Sequence, residues 1–358
     1  MNPVLAGFTP PARGLLVAAA VALVVWITKL AAPILVPLLL AVFVAVIAMP
    51  GLRWLRSRGV PKWVALGIVL FVLLDIGSLL ALLFTGALEG FRESLPTYQE
   101  RFLLLSAEIG ERLERVGVGG SQEAIPDLLD PAKVGMAVRL ILSNASGFFA
   151  TGLLVLLAVA FILLEAGSFM PKLRAAFRLE AAGEARLHGL LEAIRRYMLI
   201  KSLSSLAVAA CVWMWLWLLG IDFAILWAII AFLFNFVPVV GNIVMMLPAA
   251  LMAAVQTDLP TTMLVIAGYL VINTIIGNVI EPRIMGRGLG ISTLVVFVGL
   301  LFWGWLLGTV GMFLAVPLTK ALIVALEASP HTRPIAILLG PEVSPAPIAA
   351  EEESPSPV

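Results

Sequence analysis

Asn235, Asn242, Asn273 and Asn278, with Glu281, Arg283 and Arg287, supply most of the polarity in a stretch of chain that is otherwise apolar. None of these is a nucleophile. Amides, a carboxylate and guanidinium groups at membrane depth can replace the hydration shell of a small polar solute or an ion. The break Val237-Pro238-Val239-Val240-Gly241-Asn242 adds acceptors, because proline removes a backbone donor and irregular backbone in a bilayer survives only inside protein or beside water. Each asparagine also has a plainer reading as an interhelical hydrogen bond, and Glu281 with Arg283 as a structural ion pair beside the helix end that Pro282 sets. Asp75 stands near the centre of an apolar run, where an acid costs about 2.5 to 3.5 kcal/mol. It reads as a proton- or cation-coupling group, as Glu281 does, or as a carboxyl kept protonated or hydrogen-bonded between helices.

The surroundings of these residues fix the class of molecule. Of 358 residues, 61% are hydrophobic and 13% charged, and mean hydropathy is +1.09, which describes a chain dissolved in lipid. A net charge of +1 excludes a nucleic-acid binder that works by massed phosphate neutralisation. A single cysteine, Cys211, excludes an internal disulfide and a thiolate zinc cage, and His188 and His331 are too far apart for a histidine metal centre. No metal and no cofactor is expected. No G-x-x-x-x-G-K, G-x-S-x-G or H-E-x-x-H occurs, so no catalytic residue is assigned and no enzyme is expected.

A bilayer core of roughly 30 Å needs about 20 apolar helical residues. Runs near that length cover 14–30, 31–50, 63–87, 147–167, 203–220 and 261–280. The expected fold is all-α: a polytopic transmembrane helical protein with about six full spans, two short broken hairpins and an amphipathic extracytoplasmic insert. The boundaries are 1–87 for the N-terminal helices, 88–146 for the insert, 147–202 for a helix and a basic cytoplasmic segment, 203–328 for a core of two helix-plus-hairpin units, and 329–358 for a disordered cytoplasmic tail. Arg53, Arg56, Arg58 and Lys62 place the 51–62 loop inside, and the excess of bases over acids in 168–201 agrees, so both termini should be cytoplasmic. In the insert, Leu95, Tyr98, Phe102, Leu105, Ile109, Leu113 and Val116 form an apolar stripe that must pack on the membrane, on the chain's own helices or on another subunit.

The hairpins are 223–237 with 243–256, and 291–307 with 309–326 broken around Gly304 to Gly311. Their arms are short for full crossings at about 1.5 Å per residue. Val240-Gly241 precedes Pro248 much as Val310-Gly311 precedes Pro317, so the units read as an inverted repeat. Either both hairpins are re-entrant, with tips near the midplane, or each arm crosses fully.

Asn235-Phe236-Val237-Pro238-Val239-Val240-Gly241-Asn242, Asn278-Val279-Ile280-Glu281-Pro282-Arg283-Ile284-Met285-Gly286-Arg287 and Gly308-Thr309-Val310-Gly311 with Ala315-Val316-Pro317 together resemble the signatures of the autoinducer-2 exporter family, the PerM-like permeases. Asn235 departs from the acidic or other polar residue that relatives often carry before the Pro-x-x-Gly turn. The resemblance implies a bacterial inner-membrane transporter that exports autoinducer-2 in some relatives and exchanges sodium for protons in others. It also implies a homo-oligomer, expected to be a pentamer, and an elevator-like movement. The expected pathway residues are Asn235, Pro238, Gly241, Asn242, Asn273, Asn278, Glu281, Arg283, Gly311 and Pro317. The partners expected are a small hydrophilic solute and the lipid bilayer. The leading expectation is export of such a solute; the alternatives are a sodium/proton antiporter using Asp75 and Glu281, and a non-transporting membrane scaffold.

Overall fold

The computed structural model describes residues 9–115, 145–177, 181–238, 240–285 and 290–340, and every regular element among them is helical. α1 (Pro10–Leu30) and α2 (Ala32–Ser57) are joined by a single residue, Ala31, followed by α3 (Lys62–Arg115) and α4 (Ala145–Phe177). Then come α5 (Ala181–Leu218), α6 (Ala224–Phe234), α7 (Val240–Gln256) and α8 (Leu259–Asn273). A π-helical segment, Thr274–Ile280, leads into α9 (Glu281–Met285), and α10 (Thr293–Phe313), α11 (Ala315–Glu327) and α12 (Arg333–Leu339) complete the order.

Among the described residues, six helical stretches are long and apolar enough to cross a membrane: Ala32–Ser57, Lys62–Ser94, Thr151–Phe169, Gly183–Leu218, Leu259–Met285 and Thr293–Phe313. The number agrees with the sequence reading, but the membership differs by one exchange. The apolar part of α1, Gly14–Leu30, is shorter than these. Thr293–Phe313 is long only by summing across Gly308, whose φ of 70° and ψ of −153° break the helix, so its straight arm ends at Leu307. The hairpins therefore stand where the glycine and proline pattern puts them.

The structure adds two points to the sequence reading. The start of the insert continues the third span, because α3 runs unbroken from Lys62 to Arg115, through Pro96. At about 1.5 Å per residue that rod is roughly 80 Å long and projects well past a bilayer. The 116–144 part of the insert, with Gly117–Ser121 and Asp130-Pro131, lies outside the described residues. Disorder from 329 onward is also not what the structure has: α12 folds back with Ala336 buried, and the Leu339 carbonyl accepts the Ser292 N–H at 3.4 Å. Residues 341–358 lie outside the described set.

α2, α3 and α4 pack as one bundle around Ala41, Ala45, Leu66, Val69, Val159 and Leu163. The alanines, one turn apart, let backbones approach closely, which is how helices associate in lipid. A second cluster gathers α5 to α8 around Val208, Val212, Leu216, Trp227, Met245, Val265 and Tyr269. Phe43 of α2 packs with a third cluster around Tyr197, Met198, Leu314 and Val316, and its ring stands edge-on to Phe236 with centroids 5.7 Å apart.

Candidate functional site

α5 and α8 run antiparallel. Near one end the Trp215 indole N–H donates to the Leu264 carbonyl at 3.1 Å, and near the other Lys201 meets Glu281. Gly268 makes this approach feasible, since a Cβ there would collide with the Trp215 ring. One hairpin follows α5 and the other follows the α8–α9 rod, so they enter the assembly from opposite ends. The ends of the first are tied together by Gln256, whose side chain accepts from the Asp222 N–H and donates to the Gly220 carbonyl, both at 2.9 Å.

The tip of the first hairpin docks inside. Asn235 is 5% exposed and its amide donates to the hydroxyl of Ser205, which is fully buried, at 2.9 Å. Ser205 lies roughly 20 Å along α5 from its Leu218 end, while the helix continues far beyond it toward Ala181. Phe236 and Val237 then meet the second hairpin: Phe236 lies 6.4 Å from Phe313 by ring centroids, and Val237 packs with Leu300 and Ala315. Each tip is closed by a glycine against a carbonyl. A Cβ at Gly241 would strike the Phe234 oxygen, and one at Gly311 the Trp303 oxygen. Pro317 is buried behind the second tip, and Thr319 accepts the Trp303 indole N–H at 3.0 Å.

Beside Ser205, the hydroxyl of Ser204 donates to Glu281 at 3.0 Å. Both Glu281 oxygens also accept from Lys201 at 3.1 Å. The pair is nearly enclosed, with side chains 10% and 13% exposed. Burying two charges costs several kcal/mol each, so the fork geometry and the serine bond are needed to offset it. Tyr197 lies one turn before Lys201 and is buried, and Arg196 donates to the Ile284 carbonyl at 3.1 Å. Neighbouring serines on one helix thus hold the tip of the first hairpin and the start of α9 at the same height.

The structure brings Asn235, Gly241 and Glu281 to this hub, and Gly311 and Pro317 to the facing hairpin. Asn273 is buried on α8, one turn after Tyr269 and one before Ile276, both of which pack on the α5 cluster. Pro238 is half-buried at the tip, whereas Asn242, Asn278 and Arg283 are exposed. Asp75 is elsewhere: it faces outward from α3 among exposed Phe71, Leu74 and Ile76. Glu281 pairs with Lys201, in place of the Glu281–Arg283 pair considered from sequence. Sequence reasoning missed Lys201 by assigning it to the basic cytoplasmic segment. The available signal was Lys201-Ser202-Leu203-Ser204-Ser205, a polar run on the leading edge of an apolar helix. Two buried hydroxyls in this region, Ser202 and Tyr269, have no hydrogen-bond partner among the described residues.

This hub lies inside a chain whose residues 15–331 match the model of the AI-2E family transporters. The chain belongs to that family. A relative from Escherichia coli named AI-2 transport protein TqsA is 34% identical over 311 residues, spanning 87% of this chain and 90% of its own length. A Haemophilus influenzae protein, whose name says transport without a cargo, is 37% identical over 92% of this chain and 96% of its own. A Halobacillus andaensis protein named sodium-lithium/proton antiporter is 25% identical over 83% and 90%. The chain is thus a multi-pass membrane transporter of the AI-2E family.

Proposed function

We propose that this transporter carries a small hydrophilic solute of the autoinducer-2 class outward across the bacterial inner membrane, through the core that α5 to α11 build. One observation carries the reading: Ser204 and Ser205 gather a broken hairpin tip and a compensated carboxylate deep within apolar helices. A transporter core needs such a wettable, hydrogen-bonding patch at the point where backbone is irregular. The hairpins are re-entrant in this reading, because the docking of Asn235 partway along α5 leaves the tip short of the far face. The termini are cytoplasmic, supported by Arg53, Arg56, Arg58 and Lys62 between α2 and α3. The outward apolar faces of α1 and α3 are the contact surfaces of a homo-oligomer.

The test is efflux of autoinducer-2 from proteoliposomes holding only this protein. Flux above that of protein-free vesicles, lost in Asn235→Leu, is expected; equal flux in both vesicle types overturns the cargo. The second reading, sodium/proton antiport, draws on the name of the Halobacillus relative. It requires sodium-driven proton movement that Glu281→Gln abolishes. Against it stands Lys201, whose ammonium already occupies the place beside Glu281 that a coupling cation would take.

A further inference from the structure

We propose that Lys201 is a positioning residue of the transport cycle: a tethered cation that holds Glu281 in the π register and must let go for the core to change state. This rests on the reading that α5 to α11 carry the solute. α8 is α-helical to Asn273, the next seven residues are π-helical, and α9 starts at Glu281. A π segment holds extra residues per turn and is uncommon without a reason. Each residue of an α-helix advances about 100°, so relaxing the segment by one residue swings everything after it through roughly that angle. Glu281 would then leave Lys201 and Ser204, and Ile284 would leave Arg196. All the bonds that α9 makes to α5 thus report one register.

The segment also has room to change. Nothing lies within 4 Å of where a Gly277 Cβ would be, and Thr274, Ile275, Asn278, Val279 and Ile280 are exposed. The pair, by contrast, is bidentate and enclosed. A free hinge ending in a tight buried contact is the arrangement of a latch. Solute hydroxyls arriving beside Ser204 would compete for the same carboxylate and so favour release.

The experiment uses the full chain with Cys211→Ala and a reporter thiol at Ile275→Cys, in proteoliposomes. The central variant is K201M/E281Q, which removes the latch without leaving a buried charge unpaired. The expected result is thiol labelling about tenfold faster and maximal autoinducer-2 flux about tenfold lower, as the state populations shift. The charge exchange K201E/E281K should return both readouts toward the parent, and Gly277→Ala, which keeps every charge, should move labelling in the same direction as K201M/E281Q. If K201M/E281Q elutes as the parent does and both labels and transports within about twofold of it, the latch is wrong. A parent that labels as expected but moves no autoinducer-2 overturns the cargo alone, since the labelling contrast then decides the latch.

Discussion

Gly241 and Gly311 are the residues least open to change, because the obstacle in each case is a backbone carbonyl that cannot rotate away. Gly241→Ala and Gly311→Ala should each destabilise by at least about 1 to 3 kcal/mol, the usual cost of overpacking, and should lower Tm in detergent together with flux. Gly67→Ala on α3, where no atom lies within 4 Å, should be neutral or gain up to about 1 kcal/mol of helix propensity. Equal Tm losses at all three sites would remove the case for closed tips. A different kind of residue effect belongs to Asp258, which caps α8 by accepting the Thr261 N–H at 3.1 Å. The Thr261 side chain first, and then that backbone bond, hold its carboxyl below the usual range. A depressed carboxylate contributes stability above the unfolded value of about 4 and loses it as pH falls through the folded one. The Tm gap between the parent and Asp258→Ala should therefore be constant near neutrality and close in acid; a gap that persists there would show the cap is not ionic. The glycine and proline positions of the site were legible in the sequence because they act on their own backbone. Lys201 was not, because charge at a helix edge looks the same whether it meets water or a carboxylate arriving from eighty residues away.

Helix by helix, the apolar runs predicted the elements well where a run ends at a glycine or proline, as at Gly220, Gly241 and Gly308, and poorly where a helix simply continues into water. α3 and α5 both outrun their hydrophobic stretches, and α3 does so even through Pro96. The extension of α3 has a consequence at its contact with the first hairpin. The Tyr98 hydroxyl donates to Asp222 at 2.6 Å, and the Tyr98 and Phe91 rings meet Phe223, which sits at a left-handed φ of 58°. Burial first, then the hydrogen bond to the Asp222 carboxylate and its charge, push the Tyr98 hydroxyl up to about 12. Its neutral, donating form is thus the form present at any physiological pH, and this contribution is whole below the unfolded value of about 10 and lost as pH climbs from there through the folded one. Tyr98→Phe and Asp222→Asn should each cost up to about 1 kcal/mol, and the double variant no more than either alone. Additive losses in Tm across that cycle would mean that the rod does not hold the hairpin entrance through this bond.

Taken whole, the molecule divides its labour between a bundle, α2 to α4, and a core, α5 to α11, bridged where Phe43 meets Phe236. What the single chain leaves unsolved is α3. Its outward face presents Phe71, Val72, Leu74, Leu79 and Leu82 with Asp75 among them. Apolar side chains there suit lipid, but a carboxylate at that depth costs about 2.5 to 3.5 kcal/mol unless it is covered. A second copy of the chain covers it most simply, since a face repeated around a symmetry axis buries the acid of every subunit at once. Thiols placed at Asp75→Cys in the Cys211→Ala background should therefore form subunit-to-subunit crosslinks in native membranes, seen as a covalent dimer on a non-reducing gel. Thiols at Leu264→Cys, on the exposed side of α8, should not crosslink under the same conditions. Crosslinks at neither position, with the protein running as a monomer by mass in mild detergent, would leave the acid facing lipid and remove the case for a second copy over this face.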